Sequence, residues 1–116
     1  MFKLNNPCIL SSQLFLFAAI FNYNNNYIYP SYIIFSLYLS SILYHYTGNL
    51  VLRAIDILIT RIVIIFCIVI SINERNIYPS IFTGLVILFY RPNKSNLYHA
   101  LFVHIPGFCG FISLSF

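Results

Sequence analysis

Apolar residues fall into five runs, about 9–21, 27–46, 50–72, 77–90 and 97–116, separated by short polar breaks. The first run stops at Asn22-Tyr23-Asn24-Asn25-Asn26, and the second at Thr47-Gly48-Asn49, a tight turn with a glycine available for positive φ. Ser71 to Arg75 closes the third, and Arg91-Pro92-Asn93-Lys94-Ser95-Asn96 closes the fourth. Runs of roughly 20 apolar residues match the thickness of a bilayer core. The second and third have that length; the first is short and crosses only with little tilt or a thinned bilayer, and the fourth is short as well. Tyr27, Tyr29 and Tyr32 open the second run as an interfacial aromatic cluster, and Pro79 sits in the first turn of the fourth, where proline is tolerated. The pattern predicts an all-α integral membrane protein: one domain over residues 1–116, a bundle of about five transmembrane helices.

Composition sharpens this expectation. Of the 116 residues, 60% are hydrophobic and 7% charged, against roughly 25% charged in soluble domains. The mean hydropathy is +0.86. A formal charge of +4 with no basic face or run leaves no nucleic-acid footprint. Lys3, Arg53, Arg91 and Lys94 gather on one side of a five-crossing topology, against Arg75 offset by Glu74 on the other, which predicts a cytoplasmic N-terminus. Lys3 and the apolar run behind it have the form of a signal peptide, but no polar domain follows, so an uncleaved first span is expected. Cys8, Cys67 and Cys109 are too dispersed for a disulfide framework or a Cys-x-x-Cys metal site, and are expected to be small buried hydrophobes. Abundant Ile, Asn, Tyr and Phe without Trp suit an AT-rich coding source such as an organelle or a large virus.

The candidate chemistry lies around the second break. Ser41 and His45 are four apart and share one helix face, about 6 Å apart along the axis. A hairpin centred near Gly48 puts Asp56 level with Ser40 and Ser41. The fifth helix starts from the same side, so His99 and His104 lie near that interface and the three histidines of the protein occupy one half of the membrane. Three imidazoles beside a carboxylate and a hydroxyl match a catalytic zinc site with a fourth position for water. Zinc at His45, His99 and His104 would activate that water for amide or ester hydrolysis. Asp56 would take or orient its proton, and Ser41 would hold a ligand or the developing oxyanion. Simpler fates stand beside these: an Arg53–Asp56 pair within one helix, an interfacial His99, and a Ser41 hydroxyl returned to the carbonyl four residues before. Arg61 has no part in the zinc scheme and suits a lipid headgroup or a partner across the bundle.

Ser-Ser-Ile-Leu-Tyr-His at 40–45 and Val-Leu-Arg-Ala-Ile-Asp at 51–56 resemble the hemolysin III and progestin/adipoQ receptor family, within the wider group of membrane hydrolases that includes the alkaline ceramidases. That family's pattern is Ser-x-x-x-His on one helix, Asp on the next and His-x-x-x-His on the last. The resemblance implies zinc held by His45, His99 and His104, with Ser41 and Asp56 as neighbours and a lipid amide or ester as substrate. The chain departs from the family in being far shorter and in carrying Ile57-Leu58-Ile59-Thr60-Arg61 after the aspartate. His99 and His104 are also five apart, about 140° around a regular helix where four would give about 40°. Pro106 removes the backbone bond to Phe102 and offers a way to open the helix and turn both rings inward.

The expected function is therefore a zinc-dependent membrane hydrolase with the bilayer and a lipid substrate as its partners. The alternative is a non-catalytic structural subunit of a membrane complex, organellar in one version, with dispersed histidines and an apolar exterior covered by partner proteins. An ion or proton path through Asp56, Arg61 and His104 is a weaker third option, since nothing polar continues it.

Overall fold

The computed structural model describes residues 6–90 and 95–114. Every regular element among them is helical: α1 Pro7–Asn24, α2 Ile28–Thr47, α3 Leu50–Asn73, α4 Tyr78–Phe89, and a last helix, α5. That helix begins as Asn96–His99, widens into a π-helical turn over Ala100–His104 and resumes as α-helix over Ile105–Ser113. The five apolar runs are thus five helices, with one correction: the fifth is not a regular helix throughout. Lys3, Arg91 and Lys94, on which the orientation rests, lie outside the described residues, as does Phe116 at the end of the fifth run.

Local chemistry sets the ends. Asn6 caps α1 by accepting the Cys8 N–H at 2.8 Å, and Pro7 occupies the first turn, where its missing N–H costs nothing. Gly48 ends α2 in the left-handed region at φ 67°, and Asn49 then caps α3 through the N–H groups of Val51 and Leu52. α3 has 24 residues, about 36 Å at 1.5 Å per residue. Among the described residues it is the one helix both long and apolar enough to cross a membrane. α1 and α2 have comparable lengths of 18 and 20 residues, but their serines, asparagines and tyrosines lower their hydropathy. α4 has only 12 residues.

The helices close a ring in the order α1, α2, α3, α4, α5, with α5 packed back on α1. Phe15, Ala18 and Ala19 of α1, Ile34 and Leu37 of α2, Val63 and Cys67 of α3, and Phe111 of α5 form the apolar core. Small residues let α1 and α2 approach closely enough for Ser31 to donate to the Ala19 carbonyl at 2.6 Å. Asn22 is fully buried and donates to both Ala18 O and Phe111 O, at 2.9 and 3.0 Å, tying α1 to α5. Asn22→Ala strands the Phe111 carbonyl of that donor and is expected to cost about 1–3 kcal/mol. Thermal unfolding in detergent reads this as a lowered Tm with the helical content unchanged. At the end of the ring remote from Gly48, Tyr27 donates to Glu74 at 3.1 Å and links the α1–α2 and α3–α4 connections.

Candidate metal centre

Antiparallel succession brings the start of α1, the end of α2, the starts of α3 and α5 and the end of α4 to one end of the ring, and the three histidines meet there. His45 lies in the last turn of α2. Its ring centroid is 5.4 Å from that of His99 and 5.4 Å from that of His104, and the latter two are 4.6 Å apart. Cys8, in the first turn of α1, completes the group: one ligand atom from each of Cys8, His45, His99 and His104 lies within 4.8 Å of the others. This buried Cys-His cluster has the composition and proximity to hold a metal ion. Ligand atoms in a tetrahedral zinc site with bonds of about 2.0–2.3 Å stand about 3.3–3.8 Å apart, so the group needs only a small contraction around an ion.

The π turn explains how residues five apart share one site. A π turn bonds i to i−5, and the Ile105 N–H reaches the Ala100 carbonyl in that pattern. Pro106 follows at once, in the first turn of the resumed helix, and has no N–H to give Phe102. The wider turn moves His104 back under His99.

Hydroxyls organise the rim of the cluster. Ser11 donates to the Cys8 carbonyl at 3.2 Å and lies 2.6 Å from Nδ1 of His104. With Nδ1 engaged by Ser11, Nε2 is the other nitrogen that His104 can offer. Ser12 donates to the same carbonyl at 2.6 Å and lies 2.7 Å from the Ser41 hydroxyl. A hydroxyl has one proton, so Ser41 is the donor to Ser12 and keeps its lone pairs. His104 is 3% exposed and packs against Phe15, the two rings tilted by 58° with centroids 5.0 Å apart. Nε2 of His45 is buried with no hydrogen-bond partner among the described residues. Such an atom normally has an explanation, and an ion is one of them.

Asp56 and Ser41 line the same cavity as the histidines, a space of about 330 Å³ that runs between the helices from the cluster to Cys67 and Phe111. The Asp56 carboxylate accepts the Ser40 hydroxyl at 2.8 Å, as the hairpin register implies, and among the described residues it forms no ion pair with Arg53. Ser41 turns to Ser12 rather than to a carbonyl of its own helix. Arg53 and Arg61 also line the cavity, Arg61 with an exposed side chain.

Sequence reasoning missed three participants. Cys8 is buried, as expected of an apolar thiol, but it also stands among the histidines, which corrects its reading as packing alone. Ser11 and Ser12 were not singled out. The signal was present: the parity that collected the histidines also places the first turn of α1 at that end. Comparison with family models, with curated proteins and with solved structures finds no match to the chain.

Proposed function

We propose that this chain is a multi-pass membrane protein whose histidine cluster binds zinc and hydrolyses an amide or ester bond of a lipid, in the manner of the hemolysin III and ceramidase group. The observation that carries the proposal is the convergence of His45, His99 and His104 on one cavity that also contains Asp56 and Ser41. Zinc at the imidazoles supplies a Lewis acid and an acidified water. Asp56, held by Ser40, is the general base. Ser41 has lone pairs rather than a proton to offer the cavity, so it orients a water O–H in preference to binding an oxyanion. The apolar remainder of the cavity, with Val63, Cys67 and Phe111 among its walls, suits a hydrocarbon chain. Leu10, Ile20, Leu50, Ile65 and Ile72 are more than half exposed, and a bilayer is the simplest cover for such a surface. A structural subunit draws on that exterior equally but gives no role to Asp56 and Ser41 beside the imidazoles.

The test is zinc content and hydrolysis of a fluorescent ceramide and a fluorescent ester lipid by protein purified in detergent. About one zinc per chain, turnover that stops on chelation, and an Asp56→Asn variant that keeps its zinc but loses at least about a hundredfold in kcat are expected. A zinc-free protein after metal supplementation sinks the proposal; zinc without turnover on either lipid leaves a metal-bound structural subunit.

A further inference from the structure

We infer that Cys8 is the fourth ligand of this centre, so that the resting site is a closed Cys-His₃ set with no position open to water. The inference rests on the metal-binding part of the function proposed above and goes beyond it, because three histidines alone leave the fourth position free. Cys8 is 0% exposed, and its sulfur belongs to the same group of mutually close ligand atoms as the three imidazoles. It lies in the first turn of α1, at the end of the bundle where the three histidines meet. The Ala100 backbone, at the start of the π turn, hydrogen-bonds it. The backbone of Cys8 is held too, by the cap at Asn6 and by the Ser11 and Ser12 hydroxyls on its carbonyl. The unpartnered Nε2 of His45 is an independent sign that the space among these groups is meant for an electrophile.

Binding is a ligand exchange without redox change. The Cys8 S–H bond breaks, the sulfur–metal bond forms, the proton goes to solvent and one water leaves the ion. Hydrolysis would require the reverse: the sulfur–metal bond opens, a water takes its place, and the sulfur takes back a proton to rest as a buried thiol. Four protein ligands are the mark of closed zinc sites and three that of catalytic ones, so Cys8 decides which of the two this centre is at a given moment.

Cobalt(II) loaded into the purified full chain in place of zinc tests this, because a thiolate ligand gives cobalt a near-ultraviolet charge-transfer band that imidazole and water do not. Expected are about one cobalt per chain, the band present, and the band retained in a Cys67→Ser/Cys109→Ser variant, which leaves Cys8 as the sole thiol. Cys8→Ser should keep its cobalt and lose the band. One cobalt per chain without the band overturns the role of Cys8 and leaves the three-histidine centre standing. No cobalt in the intact chain overturns both.

Discussion

His104→Ala is expected to abolish stoichiometric zinc, lowering metal affinity at least about a hundredfold, more than the 10–100-fold typical of losing a ligand's hydrogen-bond partner. His104 is the most buried of the three imidazoles at 3% exposure and is fixed from two sides, by Ser11 at Nδ1 and by the ring of Phe15. Alanine there removes the nitrogen, leaves a void beside Phe15 and frees Ser11. No other imidazole can move in, since His45 and His99 hold places on separate helices. The void adds about 2–5 kcal/mol of destabilisation, as for other large-to-alanine changes in a core. Elemental analysis after dialysis gives the first effect and thermal unfolding with and without zinc the second. Ser11→Ala is the companion measurement: it should weaken the metal by about 10–100-fold while preserving one zinc per chain at saturation. A His104→Ala protein that still carries a full zinc would mean the ion sits elsewhere.

Pro106→Ala should weaken zinc at least about tenfold while leaving the protein no less stable. Proline inside a helix costs roughly 3 kcal/mol through its ring and missing N–H, and the π turn just before it is how α5 accommodates that residue. Alanine restores a donor for the Phe102 carbonyl and allows Ala100–His104 to rewind as α-helix. His99 and His104 would then stand about 140° apart, and one ring would turn away from His45. A competition titration against a chromophoric chelator measures the affinity, and thermal unfolding of the metal-free protein measures stability. Unchanged affinity would show that packing against α1 and α4 holds the turn open without the proline.

Hydropathy alone made the helices legible, although α1 and α3 run on to Asn24 and Asn73, into the polar stretches that close their apolar runs. Gly48 and Asn49 were readable as a turn, and they end α2 and begin α3. The level of Asp56 with Ser40 followed from counting outward from that turn, and a 2.8 Å hydrogen bond joins them. The π turn was harder. Pro106 announced a disturbance in α5, but its form depends on where α1 and α4 let the helix widen, and no local pattern encodes that. Cys8 was overlooked for a different reason: a lone cysteine in an apolar run has the same local signature whether it packs or ligates. Only the ring closure of α5 onto α1 distinguishes the two. The shortness of α4, 12 residues against an apolar run of 14, was equally beyond the pattern.

α3 packs chiefly on its two flanking helices, α2 and α4, and its outer residues Leu50, Leu58, Ile65 and Ile72 are open. Cys8, His45, His99 and His104 belong to α1, α2 and α5 instead. The centre is therefore carried by one trio of helices, and the wall of the cavity that holds Asp56 belongs to another part of the ring. If α3 swung outward to admit a long molecule sideways, all four ligand residues would stay where they are. Asp56, however, would leave with the wall. The four ligand residues and the carboxylate therefore sit on parts of the ring that share no helix.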